Sequence, residues 1–167
     1  MLDFMFGLLL ENKTAAEAAS KLTALKEKLE RCGFSFGNVC PVLLADNGGE
    51  FSCIAALENE ADGARETSRF FCAPNALCQK PHVENNHSFL RSIVPSGTSF
   101  DGFSQETVDL IFSHVNSVIR RLFNGKSTYE TFSFADSENL EHALGVSFVE
   151  PRKVIQSPLL LKQSARG

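Results

Sequence analysis

Apolar and polar positions along the chain recur with periods that predict strands and a helix early and mostly helices late. Leu2–Leu10 is nearly all apolar, with Leu2, Phe4, Phe6 and Leu8 alternating against Asp3, Met5 and Gly7. A period of two with one face built for burial predicts a strand over residues 2–10. Thr14-Ala15-Ala16-Glu17 has the form of a capping box, whose hydroxyl and carboxylate satisfy free N–H groups of a first helical turn. Ala18, Leu22, Leu25 and Leu29 follow at helical spacing and Gly33 supplies the stop. Pro41-Val42-Leu43-Leu44-Ala45 is a short continuous apolar run, the pattern of a strand covered on both faces. Residues 67–72 predict another strand, closed by Ala73-Pro74-Asn75.

Pro81 suits a first helical position and opens a helix that runs to about Val94, before Pro95. Ser104 caps a longer helix, in which Val108, Ile111, Val115, Ile119 and Leu122 form one buried stripe ended by Asn124-Gly125. Shorter helical pieces start from Ser127 and from Ser137. Strands alternating with helices early, and helices dominating late, predict an α/β fold.

Composition narrows the class. The chain has 167 residues and 43% apolar side chains, enough for one domain with a core of its own. Its apolar runs all fall short of the roughly 18–20 residues that a membrane span needs, and the opening run has neither a basic lead nor a small-residue cleavage site. Five cysteines is an odd number in a chain of this size, which favours reduced thiols in a cytoplasmic protein over a disulfide framework. Sixteen basic against twenty acidic residues argue against a protein that coats DNA. An enzyme meeting DNA through one local face remains open, and the last 17 residues hold Arg152, Lys153, Lys162 and Arg166 with no acid.

Two carboxylates carry the candidate chemistry. Asp46 directly follows the buried run Val42–Ala45, and Asn47-Gly48-Gly49 then turns the chain. Sites gather at the carboxyl ends of strands in open α/β sheets, although Asp-Asn-Gly-Gly is also an ordinary turn sequence. Glu84 falls in the first turn of the helix opened by Pro81, with Ser88 and Arg91 at i+4 and i+7. An acid there is often only a partner of the helix dipole. The pair says more than either member, because hard divalent cations need oxygen ligands converging from separate segments.

These residues carry a resemblance. Ala45-Asp46-Asn47-Gly48-Gly49-Glu50-Phe51 resembles the (T/A)DNGxEF segment of integrase-core DDE transposases, and Gln79 to His87 (QKPHVENNH) resembles their QKGxxEnxn segment. The 38-residue separation of Asp46 and Glu84 is close to that of the insertion-sequence group called IS-thirty. Arg91 to Phe103 (RSIVPSGTSFDGF), Asn124 to Glu130 (NGKSTYE) and Pro158 to Lys162 (PLLLK) resemble that group's RryLPKGTdFd, NgKTPyE and PsLLK segments, in the same order.

The resemblance implies a ribonuclease-H-like integrase core over residues 1–130, here lacking its N-terminal part, with a C-terminal extension and basic tail over 131–167. It implies metal-dependent phosphodiester cleavage and strand transfer on transposon ends, with Mg²⁺ or Mn²⁺ held by Asp46 and Glu84. Lys80 and Arg91 flank Glu84 and are candidate phosphate contacts, with solvated surface charges as the alternative. The implied partners are DNA, further copies of the chain or a full-length transposase, in the bacterial cytoplasm and away from membranes. The departures are specific. The family's first catalytic Asp lies on a strand that precedes the equivalent of Leu2–Leu10, and Asp3 is not promoted to that role. The Gly ahead of the Glu-bearing helix is Pro81, and the proline of the KTP segment is absent at Ser127-Thr128. The expectation is a truncated copy, inactive alone, with a non-enzymatic assembly partner or inhibitor as the alternative.

Cys72, Cys78, His82 and His87 could be drawn as zinc ligands. Their spacing leaves no finger to fold between the cysteine and histidine pairs, so zinc is rejected. His114 and His142 are expected to be surface or packing residues.

Overall fold

A computed structural model describes residues 3–45, 66–71, 81–135 and 140–164, with the backbone alone at 44, 45, 69, 71, 81–86, 163 and 164. The predicted turn Ala73-Pro74-Asn75 lies outside the described residues. The chain divides into two compact units, Leu10–Gln79 and Met1–Leu9 with Lys80–Gly167.

In the Leu10–Gln79 unit, helix α1 spans Ala15–Arg31, and the Thr14 hydroxyl accepts from the Glu17 N–H at 3.3 Å. The Glu17 carboxylate does not close the box on Thr14. It reaches further back, accepting from the N–H groups of Asn12, at 2.7 Å, and Glu11. The Thr14 N–H is already bonded to the Asn12 carbonyl at 2.9 Å, which leaves the carboxylate to those two. At the other end Gly33 adopts φ +89°. Its N–H donates to Glu30 and that of Phe34 to Leu29, so two carbonyls of the last turn are satisfied.

Helix α2 (Phe36–Val39) follows, with the Phe36 ring fully buried. Ala18, Leu25 and Leu29 of α1 are buried as well. Strand β1 (Val42–Ala45) pairs in parallel with β2 (Ser68–Phe71), in register from Val42 opposite Ser68 to Ala45 opposite Phe71. Both strands match their predicted positions. Coverage on both faces does not hold, because Val42 is 56% exposed and Phe70 54%. Among the described residues β2 is the one strand paired with β1, and no second layer covers Val42. Glu66 ties this unit together. Its carboxylate accepts from Lys26 of α1 and from the Gly37 N–H of α2, just before β2 begins.

The second unit is built on helices α3 (Pro81–Ile93) and α4 (Gln105–Asn116). Strand β3 (Ile119–Arg120), a 3₁₀ turn (Arg121–Phe123) and strand β4 (Lys126–Ser127) form an antiparallel hairpin. Helices α5 (Thr128–Ala135) and α6 (Leu140–Ala143), a second 3₁₀ turn (Pro151–Lys153) and α7 (Leu159–Ser164) complete it. Ile93 and Val94 pack with Ile111 and Val115 of α4 and Leu160 of α7. A second cluster joins Val108 and Phe112 to Tyr129 and Val146, with Phe4, Met5 and Phe6 against it.

The predicted stripe on α4 is right as far as Val115 and wrong beyond it. The helix stops at Asn116, and Ile119 and Leu122 are 52% and 72% exposed. Side chains compete for the end of the helix. The Asn116 amide donates to the Phe112 carbonyl at 2.8 Å, and the Ser117 hydroxyl accepts from the Val149 N–H at 2.9 Å. Asn124 and Gly125, both at positive φ, then turn the hairpin.

The predicted strand over residues 2–10 is likewise not a ladder strand in the described region 3–10. Side chains of α4 satisfy its backbone instead. The Met5 N–H donates to Asn116 Oδ1 at 2.9 Å, and Asn116 Nδ2 donates to the Met5 carbonyl at 2.6 Å. Leu9 donates to Gln105 Oε1 at 2.9 Å, and Gln105 Nε2 donates to the Gly7 carbonyl at 2.8 Å. The segment therefore runs antiparallel to α4. At Gly7 it comes so near that a Cβ would stand 2.1 Å from the Phe112 ring.

On another side of α4, Ser147 donates to Ser113 Oγ and Val149 to Ser117 Oγ, both at 2.9 Å. Four helical residues rise about 6 Å and two extended residues about 6.6 Å, so an i, i+4 pair of serines matches alternate N–H groups of an extended segment. Further along, the Ile155 N–H donates to His114 Nδ1 at 3.0 Å. His114 is a buried packing residue whose pKa burial lowers.

Asn116→Ala would leave a half-buried donor and acceptor of Met5 without these bonds, and is expected to cost about 2 kcal/mol in urea unfolding. His114 yields a pH dependence. Its folded pKa lies below the ordinary value, about 6.5 in the unfolded chain. Its contribution is complete above that value and is lost as pH falls, when the unfolded chain takes up the proton first. Stability should drop between about pH 7 and pH 5, and His114→Gln should flatten that slope.

Candidate catalytic helix and its supports

The sequence points to four residues, Asp46, Lys80, Glu84 and Arg91. Asp46 and Lys80 lie outside the described residues. β1 ends at Ala45, the residue before Asp46, so the predicted strand does lead into the acidic segment. Glu84 occupies the first turn of α3, as its fourth residue counting Pro81 as the first, where the sequence predicts it. Arg91 stands in the last turn of the same helix and is exposed. Helix positions 84, 88 and 91 form one stripe, and at Ser88 and Arg91 that stripe faces water. β1 belongs to one unit and α3 to the other.

The C-terminal half of α3 holds the helix in place. Ile93 and Val94 are buried against α4 and α7, with Phe89 and Leu90 packed beside them. The Ser92 hydroxyl donates to the Phe89 carbonyl at 2.6 Å and lies 3.2 Å from Gln156 Oε1. The acid-bearing first turn thus belongs to a helix whose direction is set by contacts one to three turns further on.

One support of α3 is not signalled in the sequence. Arg120, buried in β3, places its guanidinium over the Phe89 ring at 4.5 Å and 3.9 Å from Asp3 Oδ2. Burial works against the charge on Arg120 and Asp3 works for it. Asp3 is itself held at φ +53°, a conformation that non-glycine residues seldom adopt. The side chain left aside as a first catalytic acid is thus engaged as a buried ion-pair partner. A lone acid within an apolar run was the available signal, but its partner stands over a hundred positions away in sequence.

Among the described residues no group of three or more His, Cys, Asp or Glu side chains forms a metal-sized cluster. Of the rejected zinc set, Cys72 and Cys78 lie outside the described residues, and His87 is an exposed helix residue. Carboxylates at a strand end and a helix start would suit hard divalent cations by donor type. No helix of the described residues is long and apolar enough to cross a membrane.

Known proteins supply an independent comparison. The chain is 32% identical over 127 residues to an integrase ORF3 of Spiroplasma virus SpV1-R8A2 B. It is 31% identical over 130 residues to the transposase for insertion sequence element IS1086 of Cupriavidus metallidurans. Each match covers 76% of this chain but only 37% and 35% of those proteins, so the chain spans little more than a third of their length. No protein-family profile matches the chain, and no solved structure does.

Removing Arg120 would take one cation away from the buried Asp3 carboxylate. Arg120→Met is expected to cost roughly 3 kcal/mol in chemical unfolding, and Asp3→Asn in the same chain should restore part of it. Equal loss in the single and double variants would show that the pair is not coupled.

Proposed function

Because the chain belongs to the transposases and integrases of insertion sequences, we propose that it is part of a DDE catalytic core with a ribonuclease-H-like fold, which acts in DNA transposition and integration. The observation that supports this reading is that β1, paired in parallel with β2, ends at the residue before Asp46, and that Glu84 lies in the first turn of α3, whose C-terminal half is packed into a core. In this reading Asp46 and Glu84 converge on Mg²⁺ or Mn²⁺. When bound, the metal activates the attacking oxygen of a phosphodiester exchange and stabilises the leaving one.

The chain's own residues do the rest. The sheet fixes the backbone as far as Ala45, the residue before Asp46. α3 sets the direction from which Glu84 approaches. Lys80 and Arg91 contact phosphates on either side and hold the scissile strand in register without reading its sequence. Asp3 is engaged by Arg120, so a third acid comes from elsewhere in the assembled transposase. The same ion pair favours a second reading, a non-catalytic partner that pairs with full-length transposase and modulates it.

Incubated alone with a transposon-end duplex and Mg²⁺, the purified chain should show no end cleavage. Adding the family's first-Asp segment in trans should produce cleavage that Glu84→Gln and Asp46→Asn each abolish. Mn²⁺ should bind weakly, and both substitutions should weaken it further. Cleavage that survives Glu84→Gln would refute the catalytic assignment. Absence of cleavage in every mixture, together with inhibition of full-length transposase, would establish the second reading.

A further inference from the structure

The β3–β4 hairpin and the last turn of α5 expose apolar and cationic side chains together. Phe134 is 88% exposed and Leu122 72%. Arg121, beside Leu122 in the turn, and Lys126 on β4 are exposed as well. The Lys126 ammonium lies 5.6 Å from the centroid of the Phe134 ring. Glu130 is the nearby acid on α5. Its carboxylate accepts from the N–H and the hydroxyl of Ser127, both at 2.8 Å, and Lys126 also favours its ionised form.

A phenyl ring left this open contributes little to the fold, and a cation over one of its faces marks the charge of what the patch can receive. A second copy docking here about a twofold axis would set this cationic patch against the same patch of its partner, a repulsion that an anionic partner turns into attraction. Nucleic acid combines phosphate charge with flat bases. Duplex DNA hides the base faces, whereas single strands offer them to aromatic side chains.

We propose that Phe134, Lys126 and Arg121 form a contact for unpaired single-stranded nucleic acid, with a base stacked on Phe134 and flanking phosphates on the two cations. The site deepens the DNA reading above by naming an unpaired strand as the partner, but it uses none of the residues proposed to hold metal.

The test is fluorescence anisotropy of the full chain with labelled oligonucleotides in EDTA, so that no metal site contributes. A single strand should bind more tightly than a duplex of the same sequence. Phe134→Ala should weaken single-strand binding about tenfold yet leave binding of a wholly abasic strand unchanged. Arg121→Ala with Lys126→Ala should lower the salt slope by about 1.4, two phosphates' worth for a single strand. These residues are exposed, so circular dichroism should show the fold intact in each variant. Unchanged single-strand affinity in Phe134→Ala would overturn the proposal, as would equal weakening of normal and abasic strands. If light scattering shows a dimer that Phe134→Ala dissolves, without any effect on oligonucleotides, the face is a contact between copies and the proposal fails. Glu84→Gln separates the two readings: it should abolish any cleavage in the reconstituted mixture and leave this binding unchanged.

Discussion

Helix α4 satisfies backbone that has no ladder of its own. Gln105 and Asn116 serve the segment before α1, while Ser113, His114 and Ser117 serve the segment after α6. A buried amide or carbonyl without a partner costs about as much as a whole side chain's packing can return. Extended chain can therefore pass beside a central helix only where side chains meet its polar groups. The apolar positions between those polar ones, Ile111, Phe112 and Val115, then pack the same segments and neighbouring helices. Burial of every residue from Ile111 to Asn116, all around the second half of α4, follows from that double use. A helix hydrophobic on every side would have left the two flanking segments with unpaired backbone.

The same fact explains which parts of the fold were legible in sequence. The starts of α1, α3 and α4 and the positions of β1 and β2 are encoded locally, by Thr14, Pro81 and Ser104 and by two short apolar runs. Ser127 and Glu130 close a capping box at α5 in the same way, which draws Glu130 below the ordinary carboxylate range. The errors fall where a distant side chain takes the place of a ladder. Residues 3–9 alternate as a strand does, and alternation reports which face is buried rather than what the backbone is bonded to. Ile119 and Leu122 continue the heptad-like spacing of α4 but lie past an Asn-Ser pair whose side chains bond elsewhere. Periodicity could not register that competition.

For the candidate site, position in the chain was legible and support was not. The sequence places Glu84 one turn into a helix and Asp46 one residue past a strand, and both carriers form at the predicted places. The partnership of Arg120 with Asp3 is not legible in sequence, because it exists only once the hairpin has folded over α3. A buried ion pair is a poor source of stability, since desolvation consumes much of the Coulomb gain. What it supplies here is registry between three separate segments. Arg120 meets Asp3 through charge and Phe89 through its flat face, so the hairpin, the N-terminal segment and α3 are positioned by one side chain.

That arrangement separates the part of α3 that is held from the part that would do chemistry. Phe89, Leu90, Ile93 and Val94 anchor the C-terminal half on α4, α7 and Arg120. A helix is stiff over three turns, so an anchor at one end fixes the direction of the other without touching it. A ligand carried on such a first turn can face water and cation while its geometry is fixed by a dry core beyond it. The cost of ordering the carboxylate's backbone is then met by packing that no substrate disturbs. A loop-borne acid would have to be ordered anew at each encounter.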